Sequence, residues 1–426
     1  MSIITDRDMR IERTSYLDQL VRSKSNGLIK IITGIRRCGK SYLLFNIFYD
    51  YLISQGVDNK HIIKIALDDI LNDEYRDPRK FLLYVKDSIT DNDIHYVFID
   101  EVQMMANFVG ALNSLLHIEN VDVYVTGSNS RFLSSDIATE FRGRGDVIHV
   151  YPLSFKEFFS VYEGDIKDAW KEYSTYGGLP LIKNIDSEQK KISYLNSLYN
   201  TVYIKDLVER NRIKKSLEFE KLIKIIASSI GSPCNPNKLS NTFKSVENVN
   251  LNSETIGFYL SYLQESYLIE KSTRFDIKGK RYIGSLSKYY FTDIGLRNAI
   301  LDFRQQEESH IMENVIYNEL RRKGFIVDVG LVEHRTSGKD NQTIRNHYEV
   351  DFVANLGSKR YYIQSALSIP DKEKIIQETN SLRHIQDAFK KIVITKDDIH
   401  PWHNEDGILF VGLFDFLVKD ECLELF

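Results

Sequence analysis

The sequence predicts an α/β protein built around a parallel sheet that carries a phosphate-binding loop, with further helical and mixed segments after it. Three observations predict this. An apolar, β-branched run, Ile29-Lys-Ile-Ile-Thr33, breaks into a glycine-bracketed loop and resumes as the helix-like Tyr42-Leu-Leu-Phe45. Strand-like and helix-like runs then alternate as far as Val125, which is the pattern of a parallel sheet covered on both faces. A second helix-and-strand stretch begins near residue 304, beyond a section that reads as mostly helical. At 426 residues the chain should form more than one core.

The loop reads Gly34-Ile-Arg-Arg37-Cys38-Gly39-Lys40-Ser41 and matches G-x-x-x-x-G-K-[ST]. Between a strand and a helix, that pattern is a phosphate cradle. Its glycines let backbone N–H groups turn toward an anion, and the helix N-terminus adds a favourable dipole. Lys40 would meet the β- and γ-phosphates of a nucleotide and Ser41 its Mg²⁺. Gly34, Arg37, Cys38, Gly39, Lys40, Ser41 and Tyr42 are therefore the expected nucleotide contacts, with ATP and Mg²⁺ as the ligands.

The flanking elements follow in order. Residues 7–24 place Tyr16, Leu17, Leu20 and Val21 at helical spacing, a lead-in helix. Ile62 to Leu67 is a short strand ending in Asp68-Asp69, and Pro78 to Ile89 a helix. His95-Tyr-Val-Phe-Ile is an apolar strand that delivers Asp100 and Glu101 at its end. Ala111, Leu112, Leu115 and Leu116 mark another helix, and Val121 to Val125 a strand ending in Thr126-Gly-Ser128-Asn129. Chemistry in such a sheet gathers at the strand C-termini. Asp100 suits the Mg²⁺ shell, reached through Ser41 and water, and Glu101 suits the carboxylate that orients or deprotonates the attacking water. Ser128 or Asn129 could reach the γ-phosphate from the neighbouring strand. Arg142 and Arg144, on a glycine-flanked loop, are candidates for an arginine finger.

Together with the loop, the strings Thr126-Gly-Ser-Asn129, Gly143-Arg144, Tyr151-Pro-Leu-Ser-Phe-Lys-Glu-Phe158 and Tyr176-Gly-Gly-Leu-Pro180 resemble a large prokaryotic family of AAA-type ATPases. The family's layout is an ATPase, a winged helix and a degenerate restriction-endonuclease-like domain. The resemblance implies an ATP-contacting role for Arg144, within or across subunits, and a lid element near the nucleotide at Gly177, Gly178 and Pro180. It also implies a homo-oligomer, a ring being one form. The fold class expected on both grounds is α/β: an AAA-type P-loop NTPase sheet with a helical lid, then a winged helix-turn-helix, then an α/β restriction-endonuclease-like domain. The boundaries expected are 1–151 for the ATPase core, 152–215 for the lid, 216–303 for the winged helix and 304–426 for the last domain.

In the lid, Phe155, Phe158, Phe159 and Tyr162 recur at i, i+3, i+4 and i+7. In 216–303, three helical patterns precede two β-like runs joined by a basic turn, and the third helix, where a reader of base edges would sit, has neither Lys nor Arg between Leu251 and Ser266. Base readout leans on Arg, Lys, Asn and Gln, so sequence-specific recognition is not expected. Lys278, Lys280 and Arg281 in the turn, with Arg274 and Lys288 nearby, suit contact with DNA phosphates, which positions without specifying sequence. In 304–426, helix-β-β-β-helix-β with Asp351 on the middle strand resembles a restriction-endonuclease core, whose chemistry needs D…[E/Q]-x-K. Gln364 stands at the acid position and Ala366 at the lysine. With no charge there to stabilise a nucleophile, nuclease activity is not expected, and Glu313 reads as a structural acceptor.

Composition narrows the function classes. A formal charge of −4 argues against a generally polycationic nucleic-acid binder. Cys38, Cys234 and Cys422 are too scattered for a disulfide framework or a zinc site. The N-terminus carries charges where a signal peptide needs an apolar run, and no segment is long and apolar enough to span a bilayer, so the expected compartment is the cytoplasm, with no membrane partner. The expected function is Mg²⁺-dependent ATP hydrolysis coupled to non-specific DNA binding or remodelling, a translocase or branch-migration motor being one form. The alternative is an ATP-dependent switch that binds a protein partner.

Overall fold

The computed structural model describes residues 10–127, 143–246, 249–337 and 343–424. Ser128, Asn129 and Arg142 lie outside the described residues. The chain divides into two compact units.

The first unit comprises Met1–Leu153 with Leu179–Leu181 and Glu265–Tyr267. Its sheet is made by β1 (Ile29–Thr33), β2 (Ile62–Ala66), β3 (His95–Asp100), β4 (Val121–Thr126) and β5 (Gly145–His149), in the order β2-β3-β4-β1-β5. All pairings are parallel. Every residue of β1 and of β3 is buried, as expected for a sheet covered on both faces. On one side Ile31, Ile65, Val97, Ile99 and Val123 pack with Phe81, Val85, Leu112 and Leu115 of the flanking helices. Those helices, Pro78–Ser88 and Phe108–Leu115, fall where the apolar spacing predicts them. Asp77 caps the first of them by accepting from the N–H groups of Arg79 and Lys80.

The helix after the phosphate-binding loop is less regular than its sequence suggests. It is α-helical over Lys40–Tyr42, π-helical over Leu43–Phe48 and α-helical again over Tyr49–Ser54. The wide turns set Phe45 and Phe48 against Phe98, and Phe48 against Tyr124 at 4.8 Å between ring centroids.

The second unit comprises Ser154–Gly178, Ile182–Gln264 and Leu268–Phe426. Most of the segment expected as a lid belongs to it, starting with a helix at Phe155–Phe159 that opens on a capping box between Ser154 and Glu157. Three helices, Ser216–Ser228, Pro236–Val246 and Ser253–Glu265, precede the hairpin β6 (Ile269–Asp276) and β7 (Arg281–Phe291). That hairpin does not stand alone. β6 pairs in parallel with β8 (Ile326–Ser337) through Arg274↔Val329, Phe275↔Gly330 and Asp276↔Leu331. It thereby joins a sheet with β9 (Thr343–Leu356), β10 (Lys359–Ala366), β11 (Lys390–Thr395), β12 (Trp402–His403) and β13 (Leu409–Gly412), in the order β12-β13-β11-β10-β9-β8-β6-β7. The expected boundary at 303/304 therefore runs between strands of one sheet. No helix among the described residues is long and apolar enough to cross a membrane.

Candidate functional site

Strand order decides which side chains meet at the loop. β4 lies between β1 and β3, with Ile99 opposite Val125 on one side and Ile32 opposite Thr126 on the other. The C-terminal ends of the acid-bearing strand and the loop-bearing strand are thus separated by one residue, Thr126.

The loop's backbone is held in conformations that its glycines permit. Gly34 has φ +140°, and a Cβ there would lie 2.1 Å from the Val150 carbonyl oxygen. Gly39 has φ +97° and lies beside Pro180 of the same unit, 3.7 Å from where its Cβ would be. Arg37 takes φ +66° without being glycine and is exposed, a backbone cost found at ligand-binding turns. Beneath the loop, Arg13 donates to the Cys38 carbonyl at 3.1 Å and to the Tyr151 carbonyl at 2.6 Å. Its guanidinium lies 4.6 Å from the centre of the Tyr16 ring, whose hydroxyl accepts from the Tyr151 N–H. The Cys38 thiol is fully buried and donates to the Val150 carbonyl at 3.3 Å. Cys38 therefore braces the loop from inside through its side chain.

Lys40 is 5% exposed, and its ammonium donates to the Gly34 and Ile35 carbonyls at 3.0 and 3.1 Å. Ser41 is exposed and donates to Asp100 Oδ1 at 2.9 Å, and Thr126 Oγ1 donates to the same oxygen. Burial raises the Asp100 pKa; the two hydroxyl bonds oppose this, while Glu101 and Asp68 add to it. A buried carboxylate with one hydroxyl partner from the loop fits a site that would hold Mg²⁺ through Ser41 and Asp100. Glu101 follows directly in the left-handed region at φ +50°. Its N–H donates to Thr126 Oγ1 at 3.1 Å, and its carboxylate accepts from the Gln103 amide. Tyr42 is half exposed at the start of the helix.

The structure thus brings Gly34, Cys38, Gly39, Lys40, Ser41, Asp100 and Glu101 together at the C-terminal ends of β1 and β3. Sequence reasoning missed Thr126, which donates to the Asp100 carboxylate and accepts from the Glu101 N–H, as well as Gln103 and Arg13. A threonine ending the strand beside Asp100 was the available signal for the first. Arg144 sits elsewhere: it is exposed, and its carbonyl accepts from the Ile29 N–H at the start of β1. The whole of β1, roughly 16 Å at about 3.3 Å per residue, lies between Arg144 and the loop. Gly177 and Gly178 belong to the second unit, where the Gly178 N–H donates to Asp293 and a Cβ on Gly177 would lie 2.4 Å from that carboxylate. Lys278, Lys280 and Arg281 are all exposed at the hairpin tip, with Asp276 3.5 Å from Arg281.

A family model described as "AAA domain" matches residues 26–159, and one described as "Domain of unknown function (DUF8612)" matches residues 167–307. An uncharacterized protein of Haemophilus influenzae is 32% identical over 415 residues, covering 96% of this chain and 99% of its own length. An uncharacterized protein of Methanocaldococcus jannaschii is 32% identical over 384 residues, covering 86% of this chain and 78% of that protein. Among solved structures, Aquifex aeolicus DnaA bound to AMPPCP aligns with TM-score 0.28 and 13% identity, over 60% of this chain and 88% of that one. The Aeropyrum pernix Orc1 protein in complex with DNA aligns with TM-score 0.29 and 10% identity, over 70% and 94%. At that level of likeness neither structure bears on activity. The AAA-domain match spans Lys40, Ser41, Asp100 and Glu101, and 32% identity over nearly the full length of the Haemophilus protein extends the kinship beyond it: residues 26–159 are an AAA domain, and the chain belongs to one family with that protein.

Proposed function

We propose that the protein hydrolyses ATP with Mg²⁺ and couples that cycle to DNA held without sequence specificity. The observation that carries the first part is the Ser41–Asp100–Thr126 cluster with Glu101 beside it. Mg²⁺, when bound, would supply charge to the phosphates and order them. Ser41 and Asp100 hold the site for it, and Lys40 leaves its two carbonyls for the β/γ-phosphates. Glu101, fixed through its own N–H and by Gln103, takes the proton of the attacking water. Arg144, at the opposite end of β1 from its own loop, would act as an arginine finger on a neighbouring subunit's ATP, a reading that requires an oligomer. Glu101→Gln should retain ATP in a filter-binding assay while turnover drops about 10²-fold or more. Normal turnover in that variant would remove Glu101 from the role.

For the DNA part, the exposed Lys278, Lys280 and Arg281 supply phosphate contacts. DNA-stimulated ATP turnover, lost when all three are alanine, is the expected result; no stimulation by any DNA form would leave the second reading. That reading is an ATP-dependent switch binding a protein partner. It draws on the helix Ser253–Glu265, which has no cation and leaves Phe258 54% exposed.

A further inference from the structure

Glu313, Glu349 and Asp351 converge on Lys288 of β7. Its ammonium lies 2.9 Å from Glu313 Oε1, 2.9 Å from Glu349 Oε1 and 3.5 Å from Asp351 Oδ1. The Lys288 side chain is 3% exposed. Lysine offers three N–H donors and accepts nothing, so three carboxylates account for every donor it has. Two of the carboxylates are anchored in turn. Glu313 accepts from the Tyr290 hydroxyl at 2.7 Å, and Asp351 Oδ2 accepts from the Ser365 N–H at 2.9 Å. Gln364 turns its amide oxygen to the Asp351 N–H at 3.4 Å. Glu349 and Asp351, two residues apart on β9, share a face of the sheet, and Glu313 reaches them from the helix Glu308–Arg322.

Three carboxylates around one cation are the hard oxygen donors that divalent cations prefer. Here their cation comes from the chain. We infer that Lys288 is the resident cation of this pocket: it excludes Mg²⁺ and Mn²⁺ in the native protein, and removing its charge converts the pocket into a divalent-cation site. This inference is independent of the ATPase reading.

The test is Mn²⁺ binding to the full-length chain without nucleotide, followed by electron paramagnetic resonance, in an Asp100→Asn background that silences the loop site. The native pocket should show no saturable Mn²⁺ that Asp351→Asn removes. Lys288→Gln should gain one Mn²⁺ per chain, at least tenfold tighter than any residual binding, and lose it again with Asp351→Asn. Lys288→Arg, which keeps the charge, should gain none. Should Lys288→Gln unfold in metal-free buffer, Mn²⁺ should restore its fold. The inference is overturned by an Asp351-dependent Mn²⁺ in the native chain, by a folded Lys288→Gln that takes none, by Mn²⁺ binding to Lys288→Arg, or by failure of Mn²⁺ to rescue folding.

Discussion

Two buried lysines, Lys40 in the first unit and Lys288 in the second, have opposite kinds of neighbour. Lys40 rests on two neutral carbonyls of its own loop. They take two of its three donors and leave its charge uncompensated, and a phosphate can draw it away. Lys288 meets three carboxylates, which more than cancel it. Its pKa is accordingly raised, although burial, the largest influence, pulls it down; Glu313, Asp351 and Glu349 together win. What separates the two lysines is the charge of their neighbours, since burial is nearly equal for both.

Three measurements can break that contrast. Lys40→Ala should weaken ATP binding about 100-fold or more in a fluorescent-nucleotide titration while the melting curve barely moves; a large loss of stability instead would make Lys40 structural. Lys288→Met should do the reverse, costing about 3–5 kcal/mol in denaturant unfolding because it leaves buried acids without their cation, with nucleotide affinity unchanged.

A pH series refines the second half of the contrast. Burial pushes the Asp351 carboxyl up to about 7. Glu313 and Glu349 add to this, while Lys288 and the Ser365 N–H oppose it. One ammonium cannot serve three acids equally, and Asp351 is the most distant of them. Burial also pushes Asp293 up, to about 6, while the N–H groups of Leu296, Gly178 and Gly295 oppose the rise. In both cases the folded state keeps a proton that the unfolded chain, with a carboxyl pKa of about 3.9, gives up. Their contribution to stability is complete below about pH 4 and is lost as pH climbs through about 6 and 7. Thermal melting of the second unit should therefore decline over that window, and Asp351→Asn should flatten the decline. A melting temperature rising over the same range would contradict the protonation states described.

The smallest effect is expected at the hairpin tip. Replacing Lys278, Lys280 and Arg281 by alanine should change stability by less than about 0.5 kcal/mol. In a salt titration of DNA binding it should lower the slope by about 0.9 for each cation that touches a phosphate. An unchanged slope would detach these residues from DNA.

The first unit was legible because its signals are local. A strand, a turn and a helix in succession specify the loop, and an apolar strand ending in Asp100-Glu101 specifies the acids. Thr126 escaped because its importance comes from β4 lying between β1 and β3, an order that no stretch of sequence displays. The second unit was less legible for the same reason, enlarged. Lys288 was grouped with the basic turn, yet it is buried against acids 25 to 63 residues away. Two signs were present in the chain: a lysine opening the aromatic run Lys288-Tyr-Tyr-Phe291, and an acid inside the apolar run Ile311-Met-Glu313-Asn-Val315. Each is a charge where the local pattern calls for none, and the two are partners.

The shared sheet has a consequence for how this chain can be divided or inherited. The acids lie beyond residue 303 and their ammonium before it, while β6 covers the edge of β8. A gene fragment beginning at 304 would encode a bare strand edge, open to pairing with other chains, and three mutually repelling carboxylates without their counter-ion. Recombination that moved the last segment into another protein would need to carry the hairpin too. The two segments descend together or fail separately.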